Sequence, residues 1–171
     1  MKWLAALFFI LSGTVAHADG DSDRDFLPDN PEWKEECGSC HITYPPKLLI
    51  AEDWQKLMEG LDKHFGANAA LDNPKDSKGI LDFLRRNAGF RKKYSAPSLR
   101  ISDTPWFTHE HREISSNTWA DPAVKSRSNC VACHINAEQG DWSERGIRVP
   151  GGQGGEERGE RHKRSGEHDD Y

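Results

Sequence analysis

The sequence predicts a mainly α protein, with short helices and long loops wrapped around two covalently attached prosthetic groups and little or no β-sheet. Three observations carry that expectation. One is a repeated pentapeptide, Cys37-Gly38-Ser39-Cys40-His41 and Cys130-Val131-Ala132-Cys133-His134, which between its two copies holds all 4 cysteines. Two thiols two residues apart, followed directly by a histidine, form the attachment pattern of a c-type haem. Each thiol can add to one vinyl group of the porphyrin, and the adjacent imidazole then comes under the iron as its proximal ligand. Composition is the next observation: 35% hydrophobic against 30% charged residues is lean for a globule of this length. Two haems would supply much of the missing apolar core, and the chain without them is expected to fold poorly. Lastly, apolar residues recur at helical spacing only in short stretches, which proline and glycine interrupt.

Residues 1–18 read as a signal peptide. Lys2 supplies a positive start, Trp3 to Leu11 is an unbroken apolar run, and Ala16-His17-Ala18 is a small-x-small cleavage site. That run is too short to span a bilayer, which takes about 20 residues. Cleavage after Ala18 is expected, and no later segment is apolar enough to span. The mature chain should therefore be soluble, exported and periplasmic. Attachment of c-type haem takes place on that side of the bacterial membrane, so the leader and the two motifs support each other. The net charge of −5 falls by one more with the loss of Lys2, and haem propionates would lower it further. Such a balance disfavours nucleic acid and suits basic partners.

Residues 19–95 read as a first haem-binding half. Residues 19–32 form an exposed acidic lead-in, and Glu32 to Glu36 a short helix or turn that delivers Cys37. After Tyr44, Pro45 and Pro46 forbid a helix and fix an extended segment. A helix is expected from about Asp53, as its N-cap, to Phe65, with Gly66 as its stop. Trp54, Leu57, Met58, Leu61 and Phe65 lie on one face of it. Asp72-Asn73-Pro74 is a turn. Asp76 or Ser77 then caps a helix through Ile80, Leu81, Phe83 and Leu84 to Asn87-Ala88-Gly89. Arg85-Arg86 and Arg91-Lys92-Lys93 form a basic patch. It is either a solvated helix end with cations near the negative pole, or a docking patch, or a set of partners for haem propionates.

Ser95-Ala96-Pro97 is the expected linker to a second haem-binding half, residues 96–150. Asp103-Thr104-Pro105 opens a helix with Pro105 in its first turn, and Trp106, Phe107, His109, His111 and Ile114 lie on it. Asp121-Pro122 restarts the chain toward Cys130. Ala137-Glu138-Gln139-Gly140 closes a short helix, and Val149-Pro150 ends the ordered part. Residues 151–171, Gly-rich and then almost wholly charged or polar, read as a disordered tail.

His41 and His134 are the proximal candidates. Of the 2 methionines only Met58 survives removal of the leader, so at most one iron can be His/Met ligated. His64 is the distal candidate for the first haem, because it follows a helix whose apolar face would cover that haem. The competing reading is a helix-end histidine bonded to the last carbonyls. Met58, on the same face, reads as packing. For the second haem, His109 and His111 are two residues apart and point to nearly opposite sides of a helix. His111 shares a stripe with Phe107 and Ile114, whereas His109 shares its side with Trp106 and Glu113. The more apolar stripe favours His111. His162 and His168, in the charged tail, read as surface histidines.

With these residues in view, the chain resembles the dihaem cytochrome c family, a group of small exported bacterial electron carriers. The resemblance covers most of residues 33–150. It is carried by Cys37 to His41, Tyr44-Pro45-Pro46 with Leu48-Leu49, Trp54 with Leu57-Met58, and His64-Phe65-Gly66. It continues through the Ile80 helix, Trp106 to Ile114, Cys130 to His134 and Ala137-Glu138-Gln139-Gly140. Ile50 stands where the family commonly has a proline, which bears on the local turn. The tail after Pro150 lies outside the resemblance. What the resemblance implies is two covalent haem c groups, both bis-His ligated, with His64 and His111 in the distal positions. It also implies passage of electrons between a membrane b-type cytochrome and a soluble acceptor, such as a high-spin monohaem cytochrome. An iron with two imidazoles has no vacant position, so the fitting role is outer-sphere electron transfer and not catalysis. Imidazole in place of a thioether also lowers the potential. The rival reading is a haem oxidoreductase with one five-coordinate iron, of peroxidase or nitrite-reductase type. Zinc binding or thiol–disulfide chemistry at the cysteine pairs is disfavoured by the histidine that extends each pair and by the export signal.

Overall fold

The computed structural model describes residues 28–151. The expected signal peptide, residues 19–27 of the lead-in, and the tail from residue 152, with His162 and His168, lie outside the described residues. Five α-helices occur among them: α1 (Pro31–Gly38), α2 (Ala51–Glu59), α3 (Pro74–Arg86), α4 (Pro105–Glu110) and α5 (Ser116–Trp119), joined by loops with short 3₁₀ turns. No strand or sheet is present among the described residues; pairing is limited to the isolated bridges Ile50–Gly89, His64–Ala67 and His134–Ile147. The mainly α class with long loops is the one the sequence predicts. No helix among the described residues is long and apolar enough to cross a membrane.

α1 starts slightly earlier than expected because Asn30 caps it. The Asn30 side chain accepts the Trp33 N–H at 2.8 Å, with Pro31 in the first turn. Trp33 is buried, and its ring lies 5.1 Å from that of Phe83 on α3. This contact docks α1 and so sets Cys37, in the last turn of the helix.

The single helix expected from Asp53 to Phe65 is split. α2 begins after Ile50 and stops at Glu59, with Gly60 as its C-cap. Leu61–Lys63 is a 3₁₀ turn, and Phe65 takes a left-handed φ of 49°. Asp53 is not the N-cap. It is a buried carboxylate inside the first turn, accepting from Ser95 Oγ at 2.7 Å and Ala96 N at 3.3 Å, with Lys56 Nζ at 3.7 Å. A buried carboxylate needs such donors, and these hold Ser95 and Ala96 against α2. Ile50 donates its N–H to Tyr94 O at 3.2 Å, a bond that a proline at this position could not make. Next to it, Gly89 donates to Leu49 O at 2.8 Å. A Cβ on Gly89 would sit 2.5 Å from Lys47 O and 2.8 Å from the Tyr94 ring, so only glycine fits.

α3 is capped by Asn73, which accepts from Lys75 N at 3.0 Å, with Pro74 following. Asp76 and Ser77, the expected caps, lie inside the helix, because an Asn-Pro pair already supplies the capping oxygen and the preset φ. Ile80, Phe83 and Leu84 join Trp33, Leu49, Trp54 and Met58 in one core whose buried members lie within residues 33–84, with Ala88 and Ile101 packed against it. Met58 is thus a packing residue. Beyond Ala96, the buried apolar side chains among the described residues are Phe107, Val124 and Ala137.

α4 opens at Thr104, whose Oγ accepts the Phe107 N–H at 3.1 Å, with Pro105 first in the helix as expected. The helix ends at Glu110, short of Ile114. His111 caps it, and both its N–H (3.0 Å) and its Nδ1 (2.9 Å) engage Phe107 O. Ser115 then starts α5 by accepting from Thr118 N at 3.1 Å.

Candidate functional site

The first motif unwinds from the end of α1. Cys37 is half-buried on the helix, whereas Cys40 and His41 are exposed beyond it. Burial, with Glu36 adjacent, pushes the Cys37 thiol up to about 11. His41 Nδ1 lies 2.6 Å from Ile42 O, so Nδ1 carries the hydrogen and Nε2 is left as the free lone pair. The Tyr44 ring stacks on His41 at 4.8 Å, and its hydroxyl donates to Ser128 O at 2.7 Å, two residues before Cys130. Tyr44 therefore ties the two motifs together. Burial and the neighbouring Cys130 push its phenol up to about 12, which keeps it a donor.

His64 follows the 3₁₀ turn after α2, and the bridge to Ala67 holds the loop beyond it. Its ring centre lies 6.2 Å from that of His41, with 26° between the planes. Phe65 lies against it at 4.7 Å, and the Arg100 guanidinium lies 4.1 Å over the Phe65 ring. Burial, then the neighbouring His41 and Arg100, lower the His64 pKa.

At the second motif Cys130–Ala132 form a 3₁₀ turn, and His134 N donates to Cys130 O at 2.8 Å. Burial is the main cause that pushes the Cys130 thiol up to about 11. The ring centres of His134 and His111 are 6.2 Å apart, with 67° between the planes. His111 is stacked on Phe107 at 4.0 Å. Trp119 lies 6.0 Å from His111, and Trp142 lies 5.5 Å from His134. The Arg127 guanidinium stands 5.0 Å over Trp119 and 5.6 Å over Phe107. Burial lowers the pKa of both histidines, which favours the neutral imidazole that a metal requires. His109 is exposed on α4, its carbonyl accepting from Arg112 at 2.8 Å.

A cavity of about 1160 Å³ is lined from both motifs, by Cys40, His41 and Tyr44 and by Asn129, Cys130 and Val131. That is above the range of about 300–1,000 Å³ usual for a small-molecule site. The residues present fit a haem at each motif. Each offers two free thiols, an adjacent imidazole and a second imidazole facing the first. At the second, Nδ1 of His134 is also buried without a partner. Among the described residues no three His, Cys, Asp or Glu side chains converge as a metal-ion site.

Sequence reasoning passed over Trp119, Trp142, Arg100 and Arg127. Rings brought together across loops leave no spacing signature, although 6 tryptophans in so polar a chain were a signal.

The sequence profile of the dihaem cytochrome c family matches residues 33–142. Among solved structures, the chain is similar to a dihaem cytochrome c from Shewanella baltica OS155, with 36% identity and a TM-score of 0.62 over 73% of this chain and 96% of that one. It is similar also to the crystal structure of DHC purified from Rhodobacter sphaeroides, with 38% identity and a TM-score of 0.58 over 67% of this chain and 97% of that one. No curated protein sequence matches.

Proposed function

The chain belongs to the dihaem cytochrome c family, and from that premise we propose that it is a periplasmic electron carrier with two low-spin haems. In this reading each iron is held between two histidines, His41 with His64 and His134 with His111. The protein carries two covalently attached haem c groups, with Cys37 and Cys40 as one attachment pair and Cys130 and Cys133 as the other. When bound, they supply one-electron storage at two sites.

The observation that carries the ligation is the common spacing of the two ring pairs, 6.2 Å in each. A metal–imidazole bond of about 2.0–2.1 Å, with the ring centre about 1.1 Å behind the bonding nitrogen, sets two trans rings about 6.3 Å apart. The two pairs share this spacing although one distal histidine precedes its motif and the other follows it. Backbone carbonyls at Nδ1 of His41 and of His111 fix the tautomer that leaves Nε2 available and make that nitrogen more basic. An iron held by an imidazole on each side would leave no position for a substrate, and electron exchange is the role that fits. Tyr44 gives that exchange a continuous contact from His41 to the loop that carries Cys130. A membrane b-type cytochrome as donor and a soluble monohaem cytochrome as acceptor fit this role.

Absorption of the oxidised holoprotein tests the reading. Two haems per chain by mass, low-spin bands alone and no fast cyanide binding are expected. A high-spin charge-transfer band or fast cyanide binding would overturn bis-His ligation and favour a haem oxidoreductase with one five-coordinate iron.

A further inference from the structure

We propose that the basic surface of Arg85, Arg86, Arg91, Lys92 and Lys93 around Phe90 is the docking site for the acidic face of a redox partner protein. The proposal rests on the electron-carrier reading and adds where the partner sits and what charge it bears. All five cations are exposed, and none takes part in an ion pair among the described residues. Between the two basic runs in the sequence stands Phe90, which is 88% exposed and carries the Arg91 guanidinium 5.7 Å over its ring. Arginine and exposed aromatic side chains together are what interface cores are enriched in.

The patch is fixed to both haem-binding regions. Gly89 N donates to Leu49 O at 2.8 Å, and Ile50 N donates to Tyr94 O at 3.2 Å. These bonds join it to the segment that leads back through Pro45 and Pro46 to Tyr44 and His41. On its other side Tyr94 lies 5.7 Å from Trp106 on α4, the helix that His111 caps. A partner seated on Phe90 would thus rest on the backbone that positions one histidine of each pair.

The formal charge of −5 argues for a basic partner, and the patch argues for an acidic one. Distance decides between them. Salt screens charges over about 10 Å at 0.1 M, so a docked surface responds most to the charges nearest it, the five cations, with Asp82 an acid that Arg85 and Arg86 reach. The competing occupants are the haem propionates, an anionic membrane and the chain's own acidic residues 19–27.

The test is stopped-flow oxidation of the reduced holoprotein by hexacyanoferrate(III), a trianion that accepts one electron per molecule and becomes hexacyanoferrate(II). The rate should fall as salt rises, opposite to what the net charge dictates. Reversing three cations (R91E, K92E, K93E) should lower the low-salt rate about tenfold and invert the salt dependence, with both haem potentials unchanged. On a gold electrode bearing carboxylate-terminated thiols, Phe90→Ser should slow electron exchange without altering charge.

A native rate that rises with salt overturns the docking site. Potentials that move in the triple variant assign the cations to propionates. Loss of binding to phosphatidylserine vesicles with unchanged oxidation kinetics assigns them to a membrane. A salt dependence that appears only after residues 19–27 are deleted assigns the patch to that segment. Each of these sinks the proposal while leaving the carrier reading intact. A protein that exchanges no electrons at any ionic strength sinks both.

Discussion

Around His41 and His64 the chain has a packed core of its own, built from Trp33, Leu49, Trp54, Met58, Ile80, Phe83 and Leu84. Around His111 and His134 the neighbours are instead rings, Phe107, Trp119 and Trp142, and among the described residues Phe107 and Val124 are the large apolar side chains buried in that half. Burial of one large apolar side chain contributes about 1.5–3 kcal/mol, so the first region keeps a substantial hydrophobic term without any prosthetic group. The second has almost none until something flat and apolar fills the space between its rings. Two sites with the same 6.2 Å histidine spacing thus differ in what surrounds them: a haem at the first would join an existing core, and a haem at the second would make one.

The largest test of that difference removes one attachment pair at a time. Cys130→Ser with Cys133→Ser should strip amide protection from residues 96–150 while α3 keeps its slow exchange. Cys37→Ser with Cys40→Ser should weaken α1 yet leave Ile80 to Leu84 measurably protected. Hydrogen exchange followed by mass spectrometry reads both. Equal loss across the chain in either variant would show that the two regions fold as one unit and would end the contrast.

Single histidines give the next largest effect. His111→Ala should convert the second haem to high spin, and His64→Ala the first, whereas His109→Ala should leave the oxidised spectrum low-spin. The reverse result for His109 and His111 would mean that their rings exchange places once the haem is bound.

How much of this could be read in the sequence depends on how far apart the partners lie. The motifs, the Thr104-Pro105 helix start and the apolar faces of α2 and α3 are local patterns, and they appear in the structure. The end of α2 was hidden because the apolar stripe runs on through Leu61 and Phe65 past the break at Gly60. Asp53 looked like an N-cap by position, but its hydrogen-bond partner is Ser95, 42 residues away. The same distance concealed the tie from Tyr44 to Ser128. The rings around His111 and His134 come from three separate segments, and their grouping exists only after folding.

A subtler difference lies in the ring planes, 26° apart in the first pair and 67° apart in the second. Near-parallel imidazoles split the iron dπ orbitals, whereas crossed imidazoles leave them nearly degenerate. Low-temperature EPR of the oxidised protein should therefore show two low-spin signals, one rhombic and one strongly axial with a larger g maximum. The axial signal should vanish in His111→Ala and the rhombic one in His64→Ala. Two identical rhombic signals would erase this part of the comparison.

The smallest expected effect concerns two surface carboxylates held low by different physics. In the first region Lys78 donates to Asp82 at 2.7 Å, and that charged partner holds the Asp82 carboxyl below its ordinary value. In the second region Asp141 is lowered by Ser143, whose N–H donates at 2.9 Å, with further help from Asn136 at 3.3 Å. Both carboxyls are lower folded than unfolded. Each therefore contributes stability above the ordinary carboxylate range and loses it as pH falls through the folded value. Salt separates the causes, because about 1 M salt shortens the screening length to about 3 Å. That should return Asp82 toward its ordinary value while Asp141, held chiefly by neutral donors, stays low. Carboxyl NMR titrations of the reduced, diamagnetic protein at low and high salt read both groups in one sample. Asp141 moving with salt as far as Asp82 would mean that Arg145, and not the hydrogen bonds, holds it down.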